Sequence, residues 1–171
     1  LIISGLRVTD FSGSSTTDNL RLRVNDKGSD NALSTHSLAV AQPEISGAFD
    51  QGFVVGDGPS SMARITITDE GGISGISAER DILLSLPAGA EVARWDVNAQ
   101  IEMGGSAAAR INLDSSGFVD ETSLKIDVEE DFQFGEELTI SGLILEPLGL
   151  LSRSELQMSL NGGRTVNARD K

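Results

Sequence analysis

The sequence predicts an all-β chain: an antiparallel β-sandwich of jelly-roll or Ig-like type, with about ten strands and little helix. Three observations predict it. Apolar and polar residues alternate with a period of two in separate short runs, the pattern of a half-buried strand. Those runs are divided by segments rich in Gly, Ser, Asn and Asp, which favour turns. The composition suits strands, with many Val and Ile residues, 19 glycines and only four prolines. A length of 171 residues is ordinary for one domain and long enough to bury a core without cross-links.

The strands follow in order. "LIISGLRV" (1–8) opens the chain, and "GSSTTD" reads as the next turn. "NLRLRVN" (19–25) puts Leu20, Leu22 and Val24 on one face and Arg21, Arg23 and Asn25 on the other. "NDKGSDN" and "GDGPSS" are turns, and "ARITITD" (63–69) points Ile65 and Ile67 inward. After "DEGG", "RDILLSLP" (80–87) aligns Ile82, Leu84 and Leu86. "RWDVNAQIE" (94–102) aligns Trp95, Val97, Ala99 and Ile101, which assigns Trp95 to the core rather than to a sugar-stacking surface. "MGGSA" and "DSSG" are expected as turns, and "SLKIDVE" (123–129) as a strand. "LTISGLIL" (138–145) and "ELQMSLN" (155–161) complete the set, with "NGG" as a turn after the latter. Between them, "EPLGLLSRSEL" (146–156) is the one helix-like stretch, weakened by its Pro and Gly.

The first and last parts of the chain echo one another. Leu1 lies on Leu138 and "ISGL" (3–6) on "ISGL" (140–143); after a slip of one residue, "NLRLRVN" lies on "ELQMSLN". Leu20 then matches Leu156, Leu22 matches Met158, Val24 matches Leu160 and Asn25 matches Asn161. Two strands and their connection recurring in order point to duplication of a unit of roughly domain size. Residues 41–171 make nearly one such β-sandwich module. Residues 1–40 are expected to be the tail of a preceding repeat, or a strand-donating N-terminal extension. The start at Leu1 fits a processed or partial chain. Charge divides along the same line: residues 1–40 hold four basic and four acidic residues, whereas 41–171 carry the whole net charge of −13.

The stretch "ITITDEGGISGISAERDILLSLPAGAEV" (65–92), followed by "LTISGL" (138–143), resembles the tandem β-sandwich repeat modules of long bacterial cell-surface and S-layer-associated proteins. The resemblance covers most of 41–171 and part of 1–40. It implies an extracellular β-sandwich that spaces, adheres or assembles, and it brings no catalytic residues. One departure is that this chain begins partway through a module.

Several chemistries lack their parts. The excess of acid over base disfavours nucleic acid and anionic membrane, and no segment is apolar for long enough to insert into a bilayer. With no cysteine there is no thiol nucleophile or zinc–thiolate site. His36 is the single histidine and reads as a loop or strand-edge residue, and "GDGPSSMA" lacks the lysine of a phosphate loop. An enzyme is therefore not expected. Carboxylates crowd "NLDSSGFVDE" (112–121) and "DVEEDFQFGEE" (127–137). Calcium takes oxygen ligands of this kind from loops, so Asp114, Asp120, Glu121, Asp127, Glu129 and Asp131 are the candidate ligands, although their spacing matches no standard calcium loop and a solvated acidic face is the plainer account. The expected role is an assembly module of a surface layer or filament, polymerising head to tail with copies of itself or neighbouring repeats. Its assembly interface would be Leu1, Ile3, Leu6, Leu20, Leu22 and Val24. The alternative is a cohesin-like adhesion module that binds a surface glycan or a protein ligand.

Overall fold

The computed structural model describes residues 15–22, 32–40, 42–70, 74–87, 91–149, 155–160 and 168–170, the first two segments through their backbone pairing. Their strands, in chain order, are β1 (Ser15–Leu22), β2 (Ala32–Val40), β3 (Gln42–Gly47), β4 (Ser60–Ser61), β5 (Ile65–Glu70), β6 (Ile82–Ser85) and β7 (Ala93–Trp95). There follow β8 (Glu102–Gly104), a 3-10 turn (Ala108–Arg110), β9 (Ile111–Asp120), β10 (Ser123–Val128), β11 (Glu137–Ser141), β12 (Ile144–Pro147), β13 (Gln157–Ser159) and β14 (Ala168–Arg169). Among the described residues every strand pairing is antiparallel and the one helical element is the 3-10 turn, so the fold is all-β, as the sequence predicts.

Three sheets form the sandwich-like body. One runs β14-β13-β6-β10-β9, a second β3-β5-β11-β8 and a third β4-β12-β7, while β1 and β2 pair as a separate hairpin. The inner faces come from the predicted alternation. Ile65 and Ile67 of β5, Ile82 and Leu84 of β6, and Leu124, Ile126 and Val128 of β10 are all buried in one cluster. Leu138 and Ile140 of β11 join it, as do Leu156, Met158 and Leu160 around β13. Each such side chain contributes roughly 1.5–3 kcal/mol relative to exposure, which is why the period of two is enforced on both sheets.

Two expected strands are broken, each for a local reason. "LTISGLIL" is split between β11 and β12, which belong to different sheets. Gly142 sits at the break with φ +78°, and a Cβ there would lie 2.2 Å from the carbonyl oxygen of Gln100. The break also changes the parity of burial: Leu138 and Ile140 face inward before it, Leu143 and Leu145 after it. "RWDVNAQIE" is split as well. The Asp96 Oδ1 accepts from the Asn98 amide at 3.0 Å, and the Asp96 carbonyl accepts from the Ala99 amide at 3.0 Å. The chain turns there, so Trp95 is 2% exposed but Val97 is 47% exposed. Trp95 is a core residue, its ring centroid 6.3 Å from that of Phe118.

Other expectations shift. "GSSTTD" is not wholly a turn, because β1 already begins at Ser15. "DSSG" (114–117) is an excursion inside β9: Gly117 pairs with Lys125 and Asn112 with Asp127, so four residues of β9 bulge opposite one of β10. The helix-like stretch opens as strand, since β12 extends through Pro147. Leu148 and Gly149 both donate to the Val92 carbonyl at 2.9 Å, and residues 150–154 lie outside the described residues.

Candidate functional site: acidic strand ends and open sheet edges

The bulge of β9 organises one end of the acidic surface. Asn112 Oδ1 accepts from the amides of Asp114 at 3.1 Å and Ser115 at 3.2 Å, an Asx-type turn that competes with the ladder. The Ser116 hydroxyl donates to the Asn112 carbonyl at 2.7 Å and accepts from the Asp127 amide at 3.0 Å, stitching the bulge to β10. Asn112 Nδ2 donates to Glu129 at 2.8 Å. Asn112 thus meets one carboxylate, that of Glu129, while Asp114 and Asp127 are held near it through their backbone amides. At the far end of β9, Asp120 accepts from the Thr122 amide at 2.7 Å and its hydroxyl at 2.8 Å. The Thr122 amide bond, foremost, holds the Asp120 carboxyl below the usual carboxylate range. Glu121 faces Arg94 at 3.7 Å, and Arg94 donates to Glu146 at 2.6 Å.

The second acidic stretch is held from a distance. Arg110, at the end of the 3-10 turn, donates to both oxygens of Glu136 at 3.3 Å and also pairs with Glu130. Its carbonyl accepts from the amides of Glu129 at 2.8 Å and Glu130 at 3.1 Å. Asp131 accepts from the Ala78 amide at 2.9 Å, and Phe132 beside it is buried. The six candidate calcium ligands therefore fall in three places: around Asn112, at the β9–β10 turn, and against the loop at Ala78. Among the described residues, no three or more His, Asp or Glu side chains are placed to hold one metal ion.

Sequence reasoning missed Asp69. It is 1% exposed, at the end of β5, and accepts from the amides of Gly75 at 2.9 Å and Ile76 at 3.2 Å. Burial pushes its carboxyl up despite those bonds. The signal was available in "ITITDEGG", where the residue continues the inward parity of Ile65 and Ile67. Its environment makes it a turn anchor, closing the loop from β5 back over Ile76.

The assembly residues are divided. Leu1, Ile3, Leu6 and Val24 lie outside the described residues, while Leu20 and Leu22 lie in β1. β1 pairs with β2 through Asn19↔Ser37, Arg21↔Leu33 and Leu22↔Ala32, so His36 lies on a strand of this hairpin. In the main body, β14 and β9 end one sheet and β3 and β8 another. The edge at β3 is met by Asp170, whose carboxylate accepts from the Gly47 amide at 2.7 Å. Along β9 the exposed Leu113 and Val119 alternate with acids and the bulge, features that discourage unspecific pairing. An open cleft of about 700 Å³, lined by Phe49, Phe53, Met62, Leu86, Glu155 and Asp170 among others, lies beside the β3 end.

Comparison with protein-family models, curated proteins and solved structures gave no match to this chain.

Proposed function

We propose that the chain is an extracellular structural module of a bacterial surface layer or filament, and not an enzyme. It assembles head to tail with copies of itself or neighbouring repeats by β-strand complementation. Residues 41–171 form the module and residues 1–40 the strand-donating segment, with Leu1, Ile3, Leu6, Leu20, Leu22 and Val24 at the interface. The observation that carries this is the β1–β2 hairpin. Among the described residues its two strands pair only with each other, and β2 ends at Val40 just before β3 begins at Gln42. A two-stranded hairpin alone is marginal in water. Adding it to another sheet satisfies its outer backbone groups, and a head-to-tail contact that does not close on itself propagates.

A second reading is favoured by the cleft at the β3 end, where Phe49 is 67% exposed. An aromatic face beside a concavity suits a cohesin-like adhesion module that takes a glycan or a protein loop. Electron microscopy and sedimentation of the full chain, beside a chain lacking residues 1–40, separate the two. Ordered polymers that vanish with the deletion support assembly by the hairpin. A monomer of both chains, retained on a glycan or protein array, supports adhesion instead.

A further inference from the structure

The echo in the sequence ends at Asn25 and Asn161, but the strand pairings carry it further. In the β1–β2 hairpin, Arg21 pairs with Leu33 and Leu22 with Ala32. In the β13–β14 hairpin, Gln157 pairs with Arg169 and Met158 with Ala168. Adding the offset of 136 that aligns Leu22 with Met158 turns the first pair of pairings into the second, residue for residue. The connections agree too: nine residues, 23–31, lie inside the first hairpin and nine, 159–167, inside the second. Hairpin loops usually hold about 2–5 residues, so a shared length of nine is not a default. Asn25, Asn31 and Ala32 are matched by Asn161, Asn167 and Ala168.

We infer that β1–β2 and β13–β14 are two copies of one module-closing hairpin, and that the free edge of β1 is shaped for the β6 strand of a second module of this kind. This rests on the proposed role as an assembling repeat, and it names the strand that receives the hairpin. The seat is visible in the body of the chain. β13 lies between β14 and β6, with Gln157 opposite Ser85, Met158 opposite Leu84 and Ser159 opposite Leu83. Transposed by the same offset, Arg21, Leu22 and Arg23 meet the Ser85, Leu84 and Leu83 positions of the receiving module. Leu22 then takes the place of Met158, which is 0% exposed between β6 and the core. Leu20 and Val24 take the places of Leu156 and Leu160, both buried. The pattern is apolar at all three positions, and the occupant is a module of this kind without a closing hairpin of its own, because in residues 41–171 β6 is already paired with β13 and β10.

A hairpin graft in the full chain tests this. Residues 155–169 are replaced by a second copy of residues 19–33, leaving Asp170 and its bond to Gly47 in place. A control carries the same fifteen residues in scrambled order. If the hairpins are equivalent, the graft unfolds cooperatively within about 5 °C of the parent, the shift expected for one or two kcal/mol in a chain of this size, and the control loses its cooperative transition. Leu22→Asp within the graft then lowers the melt as far as Met158→Asp does in the parent. A graft that melts no higher than the scrambled control overturns the inference. So does a scrambled control as stable as the graft, because the seat would then read no sequence. A failed graft beside intact polymers of the full chain sinks this inference alone, whereas a sound graft in a chain that never assembles sinks the proposed role.

Discussion

Replacing Gly142 with alanine places a methyl group where the fold has no room. The new Cβ would stand 2.2 Å from the Gln100 carbonyl oxygen and 3.5 Å from the Ile101 Cα, both backbone atoms. Gln100 and Ile101 lead into β8, which pairs with β11 through Ile140↔Met103 and Ser141↔Glu102, so the clash cannot be relieved by turning a side chain. The φ of +78° adds its own cost, about 1–2 kcal/mol for a residue with a Cβ. Displacing packed backbone adds roughly 1–3 kcal/mol. Against these, alanine restricts the unfolded chain and returns about 0.4–1 kcal/mol. The net loss is about 2–4 kcal/mol, which in a chain of this size lowers the Tm by roughly 5–15 °C. Gly117 is the internal control: a Cβ there meets nothing within 4 Å, so Gly117→Ala leaves the melt unchanged or slightly higher. Thermal unfolding followed by circular dichroism reads both variants. A Gly142→Ala chain melting within about 2 °C of the parent, less than 1 kcal/mol for this size, refutes the account of why the "ISGL" segment breaks into two strands.

Burial holds the Asp69 carboxyl above its ordinary value of 3.8, so the stability linked to its proton is complete below that pH and is lost as pH rises through the raised native value. Asp69→Asn has no such proton to lose, and urea titrations from acid to neutral pH show the parent losing stability relative to this variant as pH rises; a constant difference rejects the linkage. Arg110→Ala frees Glu130 and Glu136 and loosens the segment that Phe132 pins, lowering the Tm and flattening its dependence on salt, because the pairs it removes are the ones salt screens. Because no three carboxylates among the described residues are placed to hold one ion, millimolar calcium is expected to move the Tm no more than magnesium at the same ionic strength, by screening alone. A rise in Tm with calcium alone that is lost in Glu129→Gln would overturn this expectation.

The strands that sequence reasoning located best are those whose burial alternates without interruption. "ARITITD", "SLKIDVE" and "ELQMSLN" each place their even or odd set in the core; β10 and β13 fall inside the last two, and β5 overruns the first by one residue, Glu70. Alternation is blind, however, to a turn that preserves parity. Trp95, Val97, Ala99 and Ile101 keep a period of two across the Asp96 turn, so the pattern predicts one strand where the chain leaves one sheet and enters another. The reverse occurs at Gly142, where parity changes by one and both halves stay buried. There the glycine was the signal, and its meaning depended on Gln100, forty-two residues earlier in the chain and invisible to any local window.

The acidic surface was legible as composition and not as arrangement. The sequence shows nine carboxylates in two clusters; what decides their chemistry is which donors reach them. Asp120 is taken by Thr122 within its own turn, a contact local enough to be read from "DET". Glu130 and Glu136, between β10 and β11, are taken by Arg110 of the 3-10 turn before β9, a contact set by the fold. Once those donors are counted, much of the charge is committed to closing turns, and the repeated features are the ones left to explain. The parts of the chain said twice are the word "ISGL", which at Gly142 breaks a strand, and a hairpin with nine residues between its innermost shared pairings and a fixed register. Neither holds a reactive group, while both determine how strands meet. Under the proposed role, a repeated hairpin is what joining one module to the next requires, and β6, which β13 pairs here, is the strand at which a foreign hairpin would be felt first.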